Sequence, residues 1–294
     1  MAKDLIGLTV ESSGLAMYQE QGDDLLLSFE AIPEGVFKAG RIINAEALAK
    51  IISEIKERDE FNGKEIALAL PEEGVHFMNL ELFPMNKNEL KMNLPYEFRD
   101  ITGGNQNEYV FDYAMDEVEY DAEGKPEKMK IFSAATRKES LLEWDEMLKL
   151  ADLKISTAIP KEMILVTLFR NAIERGLDKD KEFAVINLDA DKTGIYVVSN
   201  ARVRTSVQLE LGSFDFEQLA VELRKTLNFY SYENQGSEVT DVYFCGNNSN
   251  SKKLCDYIAD SLGLTQRPIA EILPEYCENL TNDSCGLFSI GVTL

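Results

Sequence analysis

The chain has 294 residues, 45% hydrophobic and 28% charged, enough to bury one large core or two smaller ones. Its 52 acidic against 30 basic side chains leave a formal charge of −22, which repels phosphate backbones and anionic headgroups and so argues against nucleic acid and bare membrane as partners. Solvated acidic faces, or a basic protein partner, account for that charge.

The opening MAKDLIGLTVESSG lacks the long apolar run of a signal peptide. No stretch reaches transmembrane length, and the closing GLFSIGVTL lacks a basic amphipathic face. The expectation is a soluble cytoplasmic protein.

Residues 5–32 read as an apolar strand, a polar turn (TVESSG), a second strand, a turn and a third strand. Asn44 then caps the helix AEALAKIISEIKER, and the buried strand EIALALP follows. Residues 72–157 look like an insertion. HFMNLELF is a strand that holds the only histidine, His76, in a structural role. The helix KNELKMNLPYEFRD is kinked or ended by Pro95. A polar loop through Gly103 and Gly104 leads to a hairpin, YVFDYAMDEVEY and KMKIFSAATR, turning at Gly124, Lys125 and Pro126. The helix KESLLEWDEMLKLA closes the insertion, with Trp144 on the same face as Leu141 and Leu148 and therefore in a core.

A helix over residues 160–175 returns to the main body, and residues 183–211 repeat the opening meander. Thr9-Val10-Glu11 lies over Asn187-Leu188-Asp189, and extra length in the second turn brings Gly14 over Gly194. FDFEQLAVELRKTLNFY, DVYFCG and SKKLCDYIADSLGL complete a second helix–strand–helix. Cys245, Cys255, Cys277 and Cys285 show no C-x-x-C spacing, which fits reduced, mostly buried thiols, with a zinc site as the alternative.

Strand-strand-strand-helix-strand-helix, present twice, predicts an α/β actin-like fold of duplicated ribonuclease-H-like units. The expected division is 1–71 plus 158–180 for the first half, 72–157 for an inserted α+β subdomain, and 181–294 for the second half.

PEGVFKAGRIINAEALAKII (33–52), EIALALP with LELFPMNKNEL, KIFSAATRKE, AVINLDADKTGIYVV, LRKTLNFY and YFCGNNSNSKKLCDYIADSLGL are similar, in that order, to stretches of the type IV pilus assembly protein PilM family. The resemblance spans nearly the whole chain. It implies a bacterial actin-like scaffold on the cytoplasmic side of the inner membrane, binding the cytoplasmic tail of the bitopic protein PilN, with a pilus motor ATPase as a further partner. The cell-division protein FtsA shares the insertion's placement, but its C-terminal membrane-targeting helix has no counterpart here.

Actin-like ATPases hold phosphates on two D-x-G turns, where glycine admits the phosphate to backbone N–H groups and aspartate organises Mg²⁺ and water. The corresponding triplets here are Thr9-Val10-Glu11 and Asn187-Leu188-Asp189. Both aspartate positions are uncharged, and both glycine positions carry an acid. If Glu11 and Asp189 face each other at about 4 Å, their repulsion costs on the order of 4 kcal/mol at an effective dielectric near 20. Ser12 and Ser13 survive beside the first turn. The adenosine turn is reduced to Gly246-Asn247-Asn248, and the helical region after Gly212 is nearly absent, a shortened second-half subdomain. The expectation is a degenerate nucleotide cleft, no catalytic residue and no bound ATP, Mg²⁺ or other metal.

Asp189, Asp191, Thr193 and Gly194 imitate an EF-hand start, but position twelve is Asn200 and the flanks are strands, which argues against calcium. Two other readings stay open: an actin-like ATPase with an altered but working site, and a filament former. For the partner, the resemblance points to a groove between the first half and the insertion. Asp112, Asp116, Glu117, Glu119 and Asp121 offer acidic candidates for a Lys/Arg-rich tail.

Overall fold

The computed structural model describes residues 5–212, 215–248, 251–277 and 283–294. Two compact units divide the chain. One comprises Met1–Pro71 and Met147–Leu294, the other Glu72–Glu146.

The larger unit holds two five-stranded sheets of matching order. Strands β1 (Leu5–Glu11), β2 (Gly14–Gln21) and β3 (Asp24–Ala31) form an antiparallel meander. A two-strand ribbon, β4 (Phe37–Lys38) and β5 (Arg41–Ile42), precedes helix α1 (Ala45–Arg58), whose first turn is capped by Asn44 as expected. Strand β6 (Glu65–Leu70) lies parallel to β1.

The chain then enters the smaller unit with β7 (Val75–Leu82), α2 (Lys87–Glu97), the short α3 (Arg99–Thr102), β8 (Tyr109–Tyr120) and β9 (Pro126–Arg137). Asn86 and Glu89 form a reciprocal capping box at the start of α2, and Pro95 sits in its last turn, so the helix stops at Glu97. The three strands make an antiparallel sheet ordered β7-β9-β8, and Leu90, Leu94, Phe98, Tyr109, Met129 and Ile131 close its core. The ring centroids of His76 and Tyr109 lie 6.5 Å apart.

Helix α4 (Lys138–Leu150) carries the boundary between the units, and Trp144 on it is buried, as its helix face implied. β10 (Lys154–Pro160) already pairs with β6 from Lys154 onward. Residues 154–157, placed in the insertion from sequence, therefore belong to the first sheet. Backbone hydrogen bonding to β6 sets that boundary.

Helix α5 (Lys161–Glu174) leads to the second sheet: β11 (Glu182–Leu188), β12 (Thr193–Ser199), β13 (Arg202–Leu209), α6 (Phe216–Glu233), β14 (Asp241–Cys245), α7 (Lys252–Leu262), β15 (Thr265–Gln266) and α8 (Asp283–Gly291). Ser213 and Phe214, at the expected start of α6, lie outside the described residues. Sheet order β3-β2-β1-β6-β10 is repeated as β13-β12-β11-β14-β15. Leu5 faces Glu65 and Thr9 faces Ala69, just as Phe183 faces Asp241 and Asn187 faces Cys245, so the opening strands of the halves are equivalent. By the same order α4 matches α7 and α5 matches α8. The sequence reading had matched α5 to α7, because the insertion hides how closely α4 precedes a strand of the first sheet.

β1 and β11 are buried almost throughout, which is why both read as near-continuous apolar runs. On one face of the second sheet, Ile186, Leu188 and Phe244 pack with Leu219 and Leu223 of α6 and Ile258 of α7. Helices α5 and α8 touch strands of both sheets and join the halves. That contact is close at Gly7, where an added Cβ would lie 1.8 Å from the backbone oxygen of Ser289 on α8. Among the described residues no helix is long and apolar enough to cross a membrane.

Candidate functional site

The site is built on the β1–β2 and β11–β12 turns. In the first hairpin Glu11 pairs with Gly14 and encloses Ser12 and Ser13. In the second, Leu188 pairs with Thr193, and Asp189 N–H donates to the Lys192 carbonyl, enclosing Ala190 and Asp191. Gly7 faces Tyr18 in one hairpin and Val185 faces Tyr196 in the other. One offset therefore relates the hairpins throughout. The extra length expected in the second turn is not there, and Gly14 corresponds to Lys192, Ala16 to Gly194. The glycine match misled because Gly14 answers a local need: a Cβ there would come 2.6 Å from the Phe29 ring.

The acids at the ends of β1 and β11 do not confront one another unscreened, as the repulsion argument assumed. The Asp189 carboxylate accepts the Ser12 N–H at 2.7 Å, the Ser13 N–H at 3.1 Å and the Ser13 hydroxyl. Glu11 Oε1 accepts the Asn187 side-chain amide at 2.7 Å and Lys161 Nζ at 2.9 Å. These groups are deeply buried: Glu11 is 6% exposed, Asp189 7%, Asn187 3% and Lys161 2%. Lys161 also sits 4.8 Å above the Phe288 ring of α8.

The Gly246-Asn247-Asn248 segment leans on both turns. Asn247 Nδ2 donates to Ser13 Oγ at 3.1 Å and to the Gly14 carbonyl at 3.2 Å, and the Asn248 N–H donates to the Leu188 carbonyl. Gly246 has φ +89, and a Cβ there would stand 2.4 Å from Asn187 Oδ1. Thr9 lies one step inward on β1, its hydroxyl buried without a hydrogen-bond partner. All seven residues singled out from sequence thus converge on one region.

Sequence reasoning missed Lys161, and it named Asn247 only as part of the reduced adenosine turn. Lys161 did leave a signal. A cation in the first turn of the apolar helix KEMILVTLF sits at the end where the helix dipole favours anions. Such a residue implies a buried carboxylate nearby.

The remaining candidates are dispersed. The EF-hand imitation is taken apart by hydrogen bonding: Ser12 and Ser13 engage Asp189, Thr193 Oγ1 donates to the Leu211 carbonyl, and Lys192 pairs with Glu210. The four cysteines are buried, and burial raises the Cys255 thiol to about 12. Among the described residues no group of three or more His, Cys, Asp or Glu side chains is placed to hold a metal. Of the acidic candidates on the edge strand β8, Asp112 is exposed, whereas Glu117 and Glu119 both engage Lys130. Asp121 accepts the turn N–H groups of Glu123 and Lys125.

No family model matches the sequence, and no curated protein does. Solved structures do match. A chain of the PilM-PilN type IV pilus biogenesis complex aligns with TM-score 0.80 at 19% identity, over 98% of this chain and 97% of that one. A Bacteroides thetaiotaomicron protein of actin-like ATPase fold aligns with TM-score 0.52 at 8% identity, over 90% and 91%. The cytoplasmic domain of EpsL, an inner-membrane component of the Vibrio cholerae type II secretion system, aligns with TM-score 0.50 at 10% identity, over 82% and 81%. The fold is the actin-like one.

Proposed function

We propose that this chain is a non-enzymatic scaffold of type IV pilus or related secretion assembly that binds the cytoplasmic tail of a PilN-like bitopic inner-membrane protein. The observation that carries the reading is the end-to-end likeness to a chain of the PilM-PilN complex. The likeness to the EpsL cytoplasmic domain supports the same setting. Scaffold is favoured over enzyme because the N–H groups of the Ser12/Ser13 turn, the natural seat of a phosphate, are taken by Asp189. A nucleotide would have to displace a carboxylate that is already part of the fold.

On this reading the protein is peripheral to the inner membrane through its partner, and a pilus motor ATPase is a second partner. A tail beside a transmembrane helix tends to be rich in Lys and Arg. Strand β8 suits it as an edge: among the described residues no further strand flanks it, Asp112 and Glu117 are exposed, and Val110, Met115 and Tyr120 present apolar surface. Charge would speed the encounter, and apolar anchors would hold the complex.

Titration with a synthetic tail peptide of the bitopic partner tests the function. Saturable binding that weakens with salt is expected, and absence of binding at low ionic strength overturns it. Calorimetry with Mg·ATP tests the loss of nucleotide chemistry separately, and micromolar affinity would refute that part alone.

A further inference from the structure

Each half of the larger unit hands a carboxylate to the other. Asp189, at the end of β11, reaches the Ser12/Ser13 turn of the first half and receives three donors there. Glu11, at the end of β1, reaches Asn187 of the second half and is shared with Lys161 at the start of α5. Asn247 extends the first arm, donating to the same Ser13 hydroxyl that donates to Asp189.

Adjacent N–H groups of a tight turn form a concave donor set that takes an oxyanion. Asp189, itself buried, fills that set from the opposite half. Because it is tethered, its effective concentration reaches the millimolar range or above without any dissolved ligand.

We propose that Asp189 is a built-in anionic ligand of the Ser12/Ser13 turn and that, with the reciprocal Glu11 arm, it clasps the two halves shut. The closed state then belongs to the chain itself and needs no dissolved anion. Closure would hold constant across changes in nucleotide or phosphate level. This goes beyond the scaffold reading, and its test involves no partner.

The test compares the full chain with the Asp189→Ala variant by amide hydrogen exchange and thermal melting, with and without inorganic phosphate against chloride of matched ionic strength. Loss of a charged, buried acceptor should speed exchange at Ser12 and Ser13 by about tenfold or more. Phosphate should slow that exchange again and raise the variant's melting temperature, while leaving the unaltered protein where chloride leaves it. Three results would overturn the proposal: unchanged exchange in the variant, no specific effect of phosphate on it, or an equal effect on the unaltered protein. Should Asp189→Ala fail to fold, Ser13→Ala removes the hydroxyl that joins Asp189 to Asn247 and leaves the two N–H donors in place. It should speed exchange at Ser12 to a smaller degree, and no change there would count equally against the clasp.

Discussion

The clasped turns and the β8–β9 hairpin are both rich in carboxylates, yet they use them in opposite ways. In the turns the acids are buried, and each accepts donors contributed by the other half. On the hairpin they lie near the surface, where one lysine, Lys130, bridges Glu117 and Glu119. A formal charge of −22 is therefore not one property. Acids removed from water must be matched atom by atom and hold the fold together. Acids left in water cost little and set the field that a basic partner meets.

That contrast breaks most readily at Lys161. Replacing it with Met takes the cation from beside the buried Glu11, and a loss of about 3–5 kcal/mol in urea unfolding is expected. Adding Glu11→Leu to Lys161→Met should recover most of it. A double variant no more stable than the single one would mean that the pair is not what the site needs.

Gly246→Ala should cost about 1–3 kcal/mol, since the residue has φ +89 and its Cβ would press on Asn187. Chemical denaturation reads this directly, and a neutral substitution would show that the third segment is not fitted to the turns.

Lys130→Ala probes the other region. Stability should fall by less than about 1 kcal/mol. Association of a Lys/Arg-rich tail peptide at low salt should become faster, because Glu117 and Glu119 lose their cation. A slower on-rate in stopped flow would place the docking surface elsewhere.

The smallest effect concerns His76, whose pKa is lowered first by burial and then by the neighbouring charge of Arg137. With the folded value below the unfolded one, the contribution is complete above the usual histidine range, near pH 6.5. It is lost as pH falls through the folded value. The protein contains no other histidine, so His76→Phe should flatten the melting temperature between pH 7 and 5. An unchanged slope would assign that dependence to carboxylates.

Much of the architecture was legible because the meander occurs twice, and its apolar strands declare burial on both faces. The positions of Glu11 and Asp189 were legible too, as matching residues where equivalent strands run into their turns. Their partners were not. Lys161 meets Glu11 across a separation of 150 residues, and Asn187 meets it across 176, so no local pattern encodes either contact. Turn length failed for a different reason. Gly14 and Gly194 are alike as letters but occupy non-equivalent points of the two hairpins.

The crossing of α8 over Gly7 also orders events in time. β1 leaves the ribosome before the helix that covers it is made, and that helix lies close enough for Ser289 to exclude any side chain at position 7. The first sheet must wait, with an apolar face uncovered, while more than two hundred residues are added. Contacts this distant along the chain slow folding and prolong the exposure of sticky surface. The same seam that unites the finished halves leaves the nascent first half with apolar surface that only the completed chain covers.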